Sequence, residues 1–499
     1  SEMCIRDRKK AILLGVAALC MASCGSSSKE DAIQRLPSDQ ISVFTSSDKQ
    51  LENAYNWAKK MALSYAHDNS DPVGYWYEAA LPQREAFCMR DVSHQSVGAQ
   101  ILGLARHNKN MFTRFVENIS EEKDWCTYWE INRYNKPAPA DYTNDKEFWY
   151  NLNANFDVMQ ACLKMYQWTG DAGYLTDPLF TNFYEKSVNE YVHRWALEPE
   201  KIMDRSPYMN QPEDFNPNNN FHTCRGLPSY VENFRGLTVG VDLLATMYAG
   251  FNAYAEMAGL TGDDVKMTKG RTQAEAYREI LENRWWNPDS SFYQTFWTED
   301  QKFYRGEGVP FILWFDASEN PDRIRASVKD ILSREWNVEN MSAFPTLFYR
   351  LGYDDEAYYF LVNLPHMNRS EYPEVSYGII EGTVCGAMGV KPLASESSIA
   401  TCSRLTGDSQ KAEIKNLPVF DGYITVKHGG RTKTDIENNT SKELTWKVAF
   451  MGDYSQIKVN GKVYAPALLK DIRGNVISEV CVPLPAHSEL SAEVLTNSN

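Results

Sequence analysis

The sequence predicts a mostly α chain: an (α/α)6 toroid of six helical hairpins over residues 46–392, followed by a C-terminal β-sandwich domain over residues 393–499. Three observations carry this reading. From Asp48 to Lys391 apolar residues recur at helical spacing in twelve segments, near 48–67, 91–107, 110–119, 152–169, 180–195, 236–258, 265–286, 306–315, 321–334, 341–351, 354–363 and 378–389. Three of these end in a similar turn: Trp168-Thr169-Gly170-Asp171, Leu260-Thr261-Gly262-Asp263 and Leu351-Gly352-Tyr353-Asp354. After Pro392 the period changes to two, in runs such as Tyr423-Ile424-Thr425-Val426 and Leu444-Thr445-Trp446-Lys447-Val448.

Each element has a local reason. In the shared turn, Gly ends one helix in the left-handed conformation and Asp begins the next. Pairing is expected between an apolar helix, such as Leu237 to Ala258, and an amphipathic partner, such as Ala274 to Trp286. Hairpins stacked in this way form an open solenoid or a closed ring. The stretches Asn132 to Phe148 and Asp204 to Arg235 are longer than connections require and rich in Pro, Asn and aromatic residues, which favours a closed ring with one working face. Within the β-region, turns are expected at Gly429-Gly430 and Asn460-Gly461.

Composition narrows the function. The formal charge of −15 disfavours nucleic acid and anionic membrane surfaces as partners. Aromatic residues make up 13% of the chain, including 13 Trp and 28 Tyr, which suits a protein that stacks rings on sugar faces. There is no zinc-type cysteine pair, P-loop or dinucleotide glycine fingerprint, so neither metal nor cofactor is expected. Of ten cysteines, Cys4, Cys20 and Cys24 lie within the first 24 residues; the other seven are scattered and read as reduced core residues.

Residues 1–24 read as an adapter-derived start, Ser1 to Arg8, followed by a lipoprotein export signal. Lys9-Lys10 opens the signal, Ala11 to Leu19 is apolar, and Met21-Ala22-Ser23-Cys24 resembles a lipobox, with Cys24 the lipidated residue. Residues 25–45 read as a tether. The apolar run is too short to span a bilayer, which takes about 20 residues. The expectation is therefore an outer-membrane lipoprotein, held to the membrane only through its lipid.

The densest chemistry lies in Pro82-Gln83-Arg84-Glu85-Ala86-Phe87-Cys88-Met89-Arg90-Asp91, beside Tyr75, Trp76 and Tyr77. Two carboxylates and two guanidiniums next to aromatic rings suit a polar ligand that must be gripped and protonated, and carbohydrate fits. Pro82-Gln83-Arg84-Glu85 resembles the loop of bacterial α-L-rhamnosidases in which Pro-x-Arg-Glu supplies the general acid. A helical toroid followed by a β-domain likewise resembles the six-hairpin glycosidases. The resemblance implies that Glu85 is the general acid and that Asp91 holds sugar hydroxyls. Arg90-Asp91-x-x-x-Gln95 resembles the sugar-binding Arg-Asp of exo-acting mannosidases with this toroid. Where the rhamnosidase loop carries Asp two residues before its Pro, this chain has Ala80.

Glycoside hydrolysis needs a second carboxylate to activate water or to attack. Such toroids bring a late Glu across the pocket, and the candidates here are Glu381 and Glu374. Glu381 lies in an apolar run, Ile379, Ile380, Gly382 and Val384, where an isolated charge is costly and points to function. Related toroids of the glucoamylase sort take their acid from the loop before the sixth helix, where Glu232 is the best placed of Asp204, Glu213, Asp214 and Glu232. Arg84, Arg90, Asp91, Trp76, Trp149 and Asn153 complete the expected substrate-binding set, while His94 reads as a buried, hydrogen-bonded histidine. The resulting expectation is an exported, exo-acting, inverting glycoside hydrolase whose partner is a carbohydrate. Two alternatives stand beside it: a polysaccharide lyase or unsaturated-uronyl hydrolase on the same toroid, and a glycan-binding lipoprotein without catalysis.

Overall fold

The computed structural model describes residues 36–495, apart from 82 and 233. Cys24 and the stretch read as an export signal lie outside the described residues. Among the described residues, twelve α-helices of six residues or more follow one another: α1 (Lys49–Ser64), α2 (Met89–Ile101), α3 (Ala105–Val116), α4 (Ala154–Thr169), α5 (Pro178–Lys186), α6 (Val241–Leu260), α7 (Asp264–Ile280), α8 (Val309–Trp314), α9 (Pro321–Leu332), α10 (Val338–Arg350), α11 (Asp354–Asn363) and α12 (Pro373–Glu381). The even-numbered helices pack in the cycle α2–α4–α6–α8–α10–α12 and back to α2, which closes an inner ring. Of the odd-numbered helices, α3 lies against α2, α7 against α6, α9 against α8 and α11 against α10, while α1 packs on α12 and joins the start of the ring to its end.

The sequence explains which helix faces inward. Fifteen of the twenty residues of the largely apolar α6 are buried, whereas α7 buries only Gly270, Ala274 and Tyr277. The turn glycines behave as expected, with Gly170 at φ 66°, Gly262 at 80° and Gly352 at 79°. The aspartates differ among themselves. Asp263 caps α7 and Asp171 accepts from Gly173 N, but Asp354 instead pairs with Arg404 at 3.0 Å.

Glycine also sets how closely the inner helices approach. A Cβ on Gly98 of α2 would run into the Tyr377 carbonyl of α12, and one on Gly378 into the Ser342 carbonyl of α10. Backbone cannot swing aside as a side chain can. Gly98→Ala and Gly378→Ala are each expected to lower stability by about 1–3 kcal/mol, although alanine is the better helix former by about 1 kcal/mol. Thermal denaturation of the two variants checks this, and unchanged melting would mean that the ring yields at these seams.

Strands are more prominent than a mostly α chain implies, with 42% helix and 22% strand. After α12 the chain builds two sheets. One has seven strands, including Lys411–Val419, Gly422–Gly429, Lys433–Asn439 and Ser488–Val494; the other has five, with Leu444–Met451 and Val476–Leu484 adjacent. The turns at Gly430 and at Asn460-Gly461 fall where expected, all three residues with positive φ. Two of the strands that depart from expectation bear on the boundaries read above. Val43–Ser46, in the stretch read as tether, pairs antiparallel with Lys415–Ala412 at the edge of the seven-stranded sheet. Leu237–Gly240, read as the start of a helix, is a strand paired with Phe296–Thr298.

Candidate active site

The inner helices all begin at one end of the ring, and their first turns surround a cleft. Arg90, Asp91 and His94 come from α2, Glu339 and Asn340 from α10, and Glu374 from α12; Gly308, Pro310 and Phe311 begin α8. The loop before α6 contributes Tyr230, Val231 and Glu232, and Trp149 precedes α4. Helix N-termini favour carboxylates, so this end of the ring can hold many acidic groups together. The cleft has two lobes that share Arg90 and Glu339. One lies over Phe311 and Trp314, the other beside Trp129, Trp149 and Tyr372.

Arg90 is the hub. Its Nη2 lies 3.8 Å from Glu374 Oε1 and 4.0 Å from Glu339 Oε2, its Nε lies 3.8 Å from Asp91 Oδ2, and its guanidinium rests over the Tyr230 ring. Burial pushes the Glu374 carboxyl well above the usual range; the charge of Asp91 and the hydrogen bond to it raise it further, while Arg90 opposes. Burial thus favours the protonated form of Glu374 beside Asp91. The Glu232 carboxyl is raised by loss of hydration within the cleft, although the residue itself remains exposed at the rim.

The loop that carries Glu232 is fixed from below. Buried Asp242, at the start of α6, accepts from Ser229 Oγ at 2.8 Å, Tyr230 N at 2.6 Å and Asn153 Nδ2 at 3.0 Å. Asp157 of α4 accepts from the Tyr230 hydroxyl at 2.8 Å and lies 2.8 Å from His94 Nε2. His94 is thus hydrogen-bonded as expected, yet it also forms part of the cleft wall among Tyr230, Phe311 and Trp314.

Most sequence-predicted residues meet here: Arg84, Arg90, Asp91, Trp149, Glu232 and Glu374 line the two lobes, and Glu381 lines an annex below them. Three do not. Glu85 sits at φ 51° with its side chain 52% exposed and its Oε1 2.6 Å from Arg133 Nη1. Arg133 also clasps Asp71 at 2.6 Å and so holds the Glu85 carboxyl on the outer surface, away from Glu381. Trp76 is fully buried, stacked on His67 with its Nε1 donating to Asp71 at 2.8 Å. Asn153 is buried and serves Asp242 rather than the cleft.

One pair escaped the sequence reading. Glu130, on the short strand Glu130–Asn132 that pairs with Ala86–Cys88, sits buried in the second lobe; Arg84 Nη2 lies 3.0 Å from it and 2.9 Å from Asp141. Burial, followed by the hydrogen bond with Asp141, raises the Glu130 carboxyl. Only the Cys88–Glu130 strand register brings it there, and no local pattern announces a strand that short.

No family model matches the chain and no curated protein is similar to it in sequence. Solved structures are similar to it in fold. The α-L-rhamnosidase of Dictyoglumus thermophilum aligns over 92% of this chain and 50% of its own, with a TM-score of 0.59 and 12% identity. The chain has the fold of the toroidal glycosidases. A rhamnosidase of Bacillus sp. GL1 aligns over 79% of this chain and 40% of its own, with a TM-score of 0.54 and 9% identity. The α-L-rhamnosidase of Aspergillus terreus aligns over 89% and 50%, with a TM-score of 0.51 and 12% identity. This toroidal chain spans half or less of the length of each.

Proposed function

We propose that the protein hydrolyses a glycosidic bond in this cleft, with Glu374 as proton donor and Glu232 as the base that activates water. The observation that carries the reading is a buried carboxyl, Glu374, beside Arg90 and Asp91 in the same acid-lined cleft as Glu232. A general acid must keep its proton near the working pH, and burial of Glu374 does this. A general base must reach water, and Glu232 stands at the wet rim. Arg90 and Glu339 lie between the two as hydroxyl-binding groups, and Trp129, Trp149 and Trp314 offer faces for sugar rings.

An inverting, exo-acting mechanism completes the proposal. Water would attack the anomeric carbon as Glu232 takes its proton, while Glu374 gives its own proton to the departing oxygen. Hydrolysis of a panel of aryl glycosides, followed by proton NMR of the first-formed anomer, tests this. Glu232→Gln is expected to lower kcat by more than a hundredfold. Added azide, which needs no base, is expected to restore turnover and give a glycosyl azide of inverted configuration. A variant within tenfold of wild type would remove Glu232 from the base role.

A further inference from the structure

Beneath the cleft, a narrow annex opens past His94, Trp314 and Glu374 and is closed by Gln95, Thr346 and Glu381. Its walls carry unpaired polar atoms: both Nε2 and Oε1 of Gln95, Trp314 Nε1, Thr346 Oγ1 and Glu374 Oε1 are buried without a hydrogen-bond partner. Gln95 is 1% exposed and Glu374 5%. Buried polar atoms left unpaired each cost free energy, so five in one small space mark a place where something else supplies the partners.

The set is mixed. The Gln95 amide nitrogen and the Trp314 indole only donate, Gln95 Oε1 only accepts, and the Thr346 hydroxyl does either. A carboxylate, sulfate or phosphate could satisfy the donors alone and would leave Gln95 Oε1 without a partner. An ammonium could satisfy the acceptors alone and would leave the Gln95 amide nitrogen and the Trp314 indole without one. A hydroxyl both donates and accepts. We propose that the annex receives a hydroxyl-bearing arm of a neutral sugar, so that the enzyme selects uncharged glycans over uronates and amino sugars. This assigns Gln95, Thr346 and Trp314 to substrate recognition and makes Glu381 part of the annex wall. It rests on the glycosidase reading above.

Two near-isosteric variants test it, Gln95→Met and Thr346→Val, with neutral hexoses, the matching uronic acids and hexosamines as ligands in calorimetric titration. Removing unpaired polar atoms should leave the melting temperature unchanged or raised. Affinity for the best neutral hexose should nevertheless fall at least tenfold in both variants, and the uronic acid and hexosamine should bind wild type at least tenfold more weakly than that hexose. If a neutral hexose binds and both variants keep its affinity, the annex holds water only and this inference falls while the glycosidase reading stands. Charged sugars binding as tightly as the neutral one would overturn it equally. If no sugar binds wild type, the glycosidase reading fails first and takes this inference with it.

Discussion

Glu374→Gln is expected to abolish turnover while leaving the protein as stable as wild type or more so. If Glu374 supplies the proton, the amide cannot, and kcat should fall by about 10²–10⁴-fold. The loss should be smallest for substrates whose leaving group departs without protonation. Stability should move the other way, and its pH dependence has a definite sign. The folded-state pKa of Glu374 is raised above its unfolded value, mainly by burial and then by Asp91. The protonated carboxyl therefore favours the fold below the ordinary glutamate range, and that contribution is lost as pH rises through the folded value. The amide does not titrate. The melting temperature of Glu374→Gln relative to wild type should thus climb as pH rises from about 4.5. Equal melting at every pH, or retained activity, would mean that Glu374 does not hold the proton.

Arg225→Met is expected to cost about 3–5 kcal/mol, because it removes the most deeply buried of the cations that pair with the Asp124 carboxylate. Arg225 is 1% exposed, with its Nη1 2.5 Å from Asp124 Oδ2 and its guanidinium over the rings of Phe148 and Trp195. It also donates to the backbone oxygens of Asp145 and Asn210. One side chain thereby ties residues 132–148 to residues 204–235, the two long loops that lead to Trp149 and Glu232. Loss of activity is expected well below the melting temperature, since the loops would loosen before the ring. Denaturation and activity measured across temperature check both parts; melting within about 1 kcal/mol of wild type would show that Arg194 and Lys146, which also reach Asp124, suffice.

The helices were legible because their signals are local. Apolar spacing and the left-handed glycines 170, 262 and 352 placed both the helices and the turns between partners. Leu237–Gly240 was illegible because it is as apolar as the helix it precedes, and only its distant partner Phe296–Thr298 makes it a strand. Val43–Ser46 is four residues long and gains its structure from a strand at the far end of the chain. The site divides along the same line. Arg90 and Asp91 were found through the motif that carries the family resemblance, and Glu374 lay ahead of the helix expected near 378–389, although it stands in the first turn of α12. Glu85 lies in a loop, and its direction is set by Arg133, a residue that sequence proximity does not reveal. Glu130 depended on a three-residue strand and stayed hidden for the same reason.

The pairing of Val43–Ser46 with Lys415–Ala412, together with α1 resting on α12, bears on how the molecule comes to exist at all. A ribosome delivers the first strand and first helix early, yet the surfaces that cover them are synthesised last. Until then Phe44, Leu51 and Tyr55, all buried in the finished protein, have no home. Closing so long a loop comes late and slowly, and the waiting segment is exposed to misassembly meanwhile. The same arrangement works in reverse once the ring has shut. Val43–Ser46 and α1 are then each pinned by a segment made much later, Lys411–Val419 and α12.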